Sequence, residues 1–532
     1  MKNLFIYFLF FLFLIFGGCK KSKNIKELSI NGKSILNEES LYRPDFHFTP
    51  KANWMNDPNG LFYYRGIYHM YFQYYPEGNV WGPMHWGHAI SKDLVNWEEK
   101  EIALYPDSLG YIFSGSAVVD IHNTSGFGTL ENPPIVAMYT YHDMPAEKAG
   151  KVDYQTQAIA YSLDDGYTWT KYEGNPVIKN PGINNFRDPK VSWDSINNSW
   201  LMTLATTDEN FIYRSDDLIN WTLLQKFGEG LGAKGVWECP DFFPMKVEGT
   251  DETKWVLLQN LNPGGLNGGS GIQYFIGDFD GTTFTLDPSF EKDLELQKAI
   301  WLDYGRDNYA GVTWSNIPDS DGRKLFIGWM SNWDYAQVVP TKKWRSAMTL
   351  ARELKLVKNN NQYRVYSNPV KELDDNISKT INQKPVKTSD EVLIGEGQDI
   401  DFNRVKIEFR IPNINQAKYV FTLFNSVNEK VIFGYDNVKK EFFSDRSKAG
   451  DLSFSDKFGA TQTIVPIYDD VYNELKVELV LDKTSFEVFY NDGKSSMTEI
   501  FFLSEPLTGV SVHANGNEFE LSDIKISQLK FD

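Results

Sequence analysis

The sequence predicts an all-β chain in which repeated antiparallel sheets of the β-propeller kind are followed by a smaller β-sandwich. Three observations carry this. A Ser, an Asp-bearing turn and a Trp recur in Ser91 to Trp97, Ser162 to Trp169 and Ser215 to Trp221, and Gly277 to Phe284 is a degenerate fourth copy. Each copy follows a β-rich run, and the spacing of roughly 50 to 70 residues is long enough for one four-stranded unit per repeat. From about Glu391 onward, strings such as Val405 to Ile411 and Glu474 to Val480 alternate apolar and polar residues with period two, joined by turns like Asn491-Asp492-Gly493. Long helical periodicity is absent from the repeat region. Because the repeat spacing is uneven, a β-sandwich with decorated hairpins is the alternative architecture for the first part.

In chain order, Lys2, the apolar run Leu4 to Phe16 and the small pair Gly17-Gly18 read as an export signal too short to span a bilayer. Cys19 and the following Lys20, Lys21 and Lys23 resemble a bacterial lipoprotein signal, in which the Cys becomes the acylated first residue. Residues 1–19 are therefore assigned to the signal, and the polar residues 20–39 to a flexible tether. Residues 40–355 are assigned to the propeller. After Trp344 to Leu354 glycine and tryptophan thin out, so residues 356–385 are assigned to a linker and 386–532 to the sandwich, read as an accessory module.

The chain has 532 residues, 53 Lys and Arg against 71 Asp and Glu, and a formal charge of -18. That balance disfavours a nucleic-acid partner. Aromatic residues make up 15% of the chain, which suits platforms for sugar rings, although most aromatics pack cores. With Cys19 acylated, Cys239 is the one thiol left, so no intrachain disulfide is expected despite export.

Chemistry concentrates on three acidic turns. Trp54-Met55-Asn56-Asp57-Pro58-Asn59-Gly60 sets a carboxylate on a tight turn, and Arg187-Asp188-Pro189 and Glu238-Cys239-Pro240 set two more acids just before prolines. The first alone reads equally well as a plain loop; three together suggest one site. Two carboxylates across a bond are the minimum for glycoside hydrolysis, one attacking the anomeric carbon and one protonating the leaving oxygen. No Gly-x-Ser-x-Gly elbow, zinc motif, phosphate loop or dinucleotide fingerprint competes. His85 and His88 have a spacing that suits a metal, but no third ligand is evident, so neither metal nor organic cofactor is expected. Cys239 has no His beside it in sequence and reads as a small buried residue, not a nucleophile.

These motifs, with Phe113 to Ser116, Asp303 to Gly305 and Gly328 to Trp333, resemble glycoside hydrolase family 32, the invertase, inulinase and levanase group, from about Arg43 to the end. The resemblance implies a five-bladed β-propeller followed by a β-sandwich. It implies Asp57 as nucleophile, Glu238 as general acid/base and Asp188 as the carboxylate that holds fructose hydroxyls, in a retaining double displacement. Glu238 must then keep its proton until attack while Asp57 stays ionised. Asn56, Gln73, Trp81, Phe113, Ser114, Arg187 and Trp333 match positions that line the fructose pocket; for each aromatic, core packing is the competing role. Pro83 and Asn308 depart from the family pattern and bear on the leaving-group side, as does the Gly-rich stretch Asn262 to Gly271, expected to be mobile. The expected activity is release of terminal fructose from levan, inulin or sucrose by an exported, membrane-anchored lipoprotein. The alternatives are a non-catalytic fructan-binding protein and an endo-acting or transfructosylating relative.

Overall fold

A computed structural model describes residues 29–30, 33–34, 37–468, 472–516 and 518–531. The expected signal over residues 1–19, Cys19 included, and most of the 20–39 segment lie outside the described residues. The folded body begins earlier than residue 40. Asn37 caps the helix Glu38–Tyr42, and Glu38 Oε1 accepts from the Lys343 backbone N–H at 3.2 Å.

Five sheets make the propeller, antiparallel except where the short strand Trp344–Arg345 runs parallel to Asn53–Tyr64. Their first strands are Asn53–Tyr64, Tyr111–Val119, Arg187–Asp194, Val236–Lys246 and Tyr309–Thr313, and each packs on the next until the fifth returns to the first. In the first three blades, three further strands follow outward in chain order. The Ser-Asp-Trp turns join the third strand to the fourth, and their conservation of shape has an atomic cause. In the first blade Asp93 Oδ1 accepts from the backbone of Val95 and Asn96, and the Trp97 indole donates to the Leu94 carbonyl. The third blade repeats this with Asp217, Ile219, Asn220, Trp221 and Leu218. In the fourth, Asp280 caps Thr282 and Thr283 in the same way.

The expected linker over residues 356–385 is not one. Arg352–Asn359 and Gln362–Pro369 are the outer hairpin of the fifth blade, and Ile377–Gln383 already pairs with the last strand of the sandwich, Phe519–Leu529. The polar run Lys358 to Gln362 is the hairpin's turn, with Asn360 and Asn361 both at positive φ. The sandwich packs a seven-stranded sheet on a six-stranded one around a core that includes Phe421, Phe433 and Phe486.

The two domains meet across buried charge. Arg352 pairs with Asp303 of the fourth blade and with Glu487 of the sandwich, and also donates to Thr498 Oγ1 at 2.6 Å. Arg446 of the sandwich pairs with Asp307 and donates to Tyr335 Oη at 2.6 Å. His47, ahead of the first blade, sits between Asp482 at 2.8 Å and Glu487 at 2.9 Å. Stripping ions of water is costly, so such groups stay stable only while every partner is in place.

Although burial alone would lower it, the pKa of His47 is pushed up to about 9 by Asp482 and Glu487. The imidazolium therefore stabilises the fold fully below pH 6.5, and that contribution fades as pH rises through 9. Chemical denaturation should show a loss of about 3 kcal/mol across this window, and His47→Gln should flatten that pH dependence. An unchanged slope in the variant would contradict the assignment.

Candidate active site

All five inner strands carry a β-bulge near their first residues, and the bulges build the site. The registers slip between Met55 and Pro58, Ile112 and Gly115, Arg187 and Lys190, Glu238 and Asp241, and Tyr309 and Val312. A bulge bends the strand and re-aims the side chain it frees. The residues freed are Asn56 and Asp57, Phe113 and Ser114, Asp188 and Pro189, Cys239 and Pro240, and Ala310 and Gly311. Asp188, Cys239 and Ala310 sit at φ of 64°, 42° and 53°. L-residues avoid that region, and here the ring around them holds it.

The bulges surround a cavity of about 230 Å³. All ten side chains expected from sequence line it: Asn56, Asp57, Gln73, Trp81, Phe113, Ser114, Arg187, Asp188, Glu238 and Trp333. Asp57 receives Ser114 Oγ at 2.6 Å and Asn56 Nδ2 at 3.0 Å. The amide of Asn56 is fixed in that sense because its Oδ1 accepts from the Trp54 indole at 2.7 Å. Arg187 reaches Glu238 Oε1 at 2.6 Å and lies 3.8 Å from Asp188, and Tyr309 donates to the other oxygen of Glu238. Asp188 Oδ2 accepts from the Cys239 N–H at 3.1 Å, while its own N–H donates to Thr140 Oγ1 at 3.0 Å.

Burial is the largest influence on these acids. It raises Asp57 above the usual carboxylate range, with Glu238 adding to the rise, while Ser114 and Asn56 pull against it. The donors expected to keep Asp57 ionised are present, but they do not outweigh desolvation by burial. Asp188 is pushed up to about 7 by burial and by its carboxylate neighbours, against the opposing pull of Arg187. Burial and the same carboxylates push the Cys239 thiol far up, so it remains an S–H, 3.5 Å from Asp57 and 3.7 Å from Asp188.

Aromatic walls complete the cavity. Trp333 rests on Trp54 with ring centres 5.7 Å apart, Trp81 meets Phe113 edge-on at 6.1 Å, and Phe113 stacks flat on His142 at 4.1 Å. The stretch Asn262 to Gly271 does not line the cavity and is not a free connection. Asn267 donates to the carbonyls of Tyr304 and of Ile464 in the sandwich, both at 3.0 Å, and Ser270 Oγ accepts from the Trp333 N–H at 3.2 Å. A Cβ at Gly269 would collide with Asn332. Asn308 is buried against Asp303, away from the cavity. The Asp303 motif serves the domain contact, not the site. His88 bonds to His69 at 3.1 Å and His85 to the Pro83 carbonyl at 2.9 Å.

Sequence reasoning missed His142, Glu147, Tyr154, Gln155 and Asn185 on the cavity wall, and Tyr309 and Thr140 behind it. Of these, only Tyr309 adjoins a position the motifs had singled out.

Residues 47–369 match the glycosyl hydrolases family 32 N-terminal domain and residues 369–528 its C-terminal domain, so the chain belongs to glycoside hydrolase family 32. As a member it is a glycosidase of the retaining kind. It is 45% identical over 493 residues to a levanase of Bacillus subtilis, covering 92% of this chain and 70% of the relative. An extracellular exo-inulinase of Aspergillus niger is 38% identical over 515 residues, covering 92% and 95%. Among solved structures, exo-inulinase from Aspergillus awamori superposes with a TM-score of 0.81 at 35% identity, covering 93% of this chain and 99% of that one. Fructofuranosidase from Schwanniomyces occidentalis complexed with fructose gives 0.82 at 35%, covering 93% and 100%.

An acid held protonated by burial destabilises the folded state once pH exceeds its ordinary value. The cost of Asp188 is absent below pH 3.8 and grows until about 7. Asp188→Asn, which keeps the shape and an acceptor for Cys239, should therefore stabilise the protein by about 2 kcal/mol at pH 7.5 and by much less at pH 4.5, while activity collapses. Thermal unfolding at both pH values measures this; a uniform loss of stability would refute it.

Proposed function

We propose that the protein is an exported exo-β-fructosidase that releases terminal β-D-fructose from levan, inulin-type fructans and sucrose. The observation that carries the reading is the meeting of Asp57, Asp188 and Glu238 in one aromatic-walled cavity on bulged strands. Asp57 attacks the anomeric carbon as Glu238 gives its proton to the departing oxygen. Glu238 then takes a proton from water, which attacks the fructosyl-enzyme and frees Asp57. Asp188 accepts hydroxyls of the fructose ring and stabilises the positive charge that develops there, and its negative form is favoured as that charge appears. Asn56, Gln73 and Ser114 offer hydrogen bonds, and Trp81, Phe113 and Trp333 exclude water. The names of similar proteins, a levanase and exo-inulinases, support the fructan class.

Incubating the protein with levan, inulin and sucrose and resolving products by chromatography tests the reading, with free fructose as the sole early product. Early oligosaccharides would indicate endo cleavage or transfer, and binding without product would indicate a fructan-binding protein. Glu238→Ala should lose at least about a hundredfold on sucrose yet far less on β-fructosyl fluoride, whose leaving group needs no proton, whereas Asp57→Ala should lose both. Equal losses for Glu238→Ala would remove its acid role.

Export and lipidation at Cys19 are supported by the apolar run, the small pair and the Cys that follows them. An extracellular relative agrees with export. Cys19→Ala should move activity from the membrane pellet to the soluble fraction; identical partitioning would rule the anchor out.

A further inference from the structure

On the outer side of the cavity a relay of three side chains is left unused by the chemistry above. Glu147 stands on the short helix Met144–Lys148, His142 ends the second strand of the second blade, and Gln155 opens its third. Glu147 Oε2 lies 3.1 Å from His142 Nε2, and Gln155 Nε2 lies 3.2 Å from His142 Nδ1. Burial holds the His142 ring neutral, down to about 4, and a carboxylate only accepts, so its single proton lies on Nε2. Nδ1 then has only a lone pair and must accept, so Gln155 must turn its NH2 group toward the ring. The consequence falls on Gln155 Oε1, which is buried with no hydrogen-bond partner among the described residues, in a residue that lines the cavity and is only 2% exposed. A buried polar atom without a partner is costly, and a ligand hydroxyl would satisfy it.

Position says which part of the ligand. In a propeller, distance from the axis grows with strand number, and the three acids sit on first strands. Phe113, His142 and Gln155 step outward on the first, second and third strands of one blade, with His142 paired to Gln155 in register. Beyond the inner strands, His142, Glu147, Tyr154 and Gln155 of this blade line the cavity, so a sugar ring attached to the fructose meets Gln155 where it extends over this blade.

We propose that Gln155 recognises the leaving sugar, accepting one of its hydroxyls at Oε1, and that Glu147 acts through His142 as a positioning residue that fixes the polarity of the Gln155 amide. This rests on the fructosidase reading and adds what selects the leaving group. Gln155→Ala removes the acceptor, and Glu147→Gln lets the relay adopt either polarity.

The test compares kcat/KM for sucrose, an inulin trisaccharide and β-fructosyl fluoride, whose fluoride makes no such contact. Both variants should lose about tenfold on the sugars, the worth of one hydrogen bond, and stay within about twofold on the fluoride. An equal loss on the fluoride would mean a merely structural role, and no loss on either sugar would mean no contact; either overturns the proposal. An active wild type with unselective variants defeats this inference alone, whereas a wild type inactive on all three donors defeats the fructosidase reading beneath it.

Discussion

Three carboxylates converge on a cavity with one buried guanidinium, which reaches Glu238 and Asp188 but not Asp57, and much of the propeller's inner ring is arranged around that imbalance. Asp57, Asp188 and Glu238 converge on a space where Arg187 is the one cation among the lining side chains other than the largely neutral His142, which burial holds down to about 4. Charges confined among buried groups repel strongly, so the ring must supply donors or protons. It supplies both: hydroxyl and amide donors to Asp57, a backbone N–H to Asp188, a phenol to Glu238, and burial that favours the neutral acid. The bulges make this possible because a regular strand would turn alternate side chains away from the axis.

The same constraint explains why the sandwich belongs to the enzyme. Arg352 is on the fifth blade, yet three of its four side-chain partners, Glu487, Ser496 and Thr498, are sandwich residues, and Asp307 of the propeller is satisfied by Arg446 of the sandwich. Neither domain can bury these groups without the other. The sandwich also holds Asn267 through the Ile464 backbone, and that stretch in turn supports Trp333 through Ser270. The accessory module expected from sequence thus braces a wall of the cavity.

What could be read from sequence was whatever has a local signature. The acids sit on Pro-bearing turns, and the blade turns carry an Asp that caps backbone N–H groups two and three residues on, so both survive as motifs. His142, Gln155 and Thr140 are single polar residues within strands, meaningful only once a neighbouring strand is set beside them. The boundary after residue 355 was misplaced because an exposed hairpin turn, Asn359 to Gln362, has the composition of a linker. Asn308 departs from the family pattern, which ties it to the leaving-group side, but it sits just ahead of the strand Tyr309–Thr313 and turns to Asp303, whereas Tyr309 points to Glu238. Glu487 and Arg352 gave no hint of pairing because the match between them is long-range.

Below the acids, the inner strands are tied by charge: Lys190 Nζ reaches the Thr313 carbonyl and lies 3.3 Å from Asp241, which also accepts from Thr313 N–H and Oγ1. This plug separates the catalytic cavity from a second one at the opposite mouth of the ring, and the two share no lining residue. On the proposed reading, a polymer therefore cannot thread through the molecule. Product and substrate must use the same doorway, so each freed monosaccharide has to depart before the shortened chain can seat its new end. That favours a distributive enzyme over a processive one: many chains trimmed a little, with product concentration itself acting as a brake on turnover.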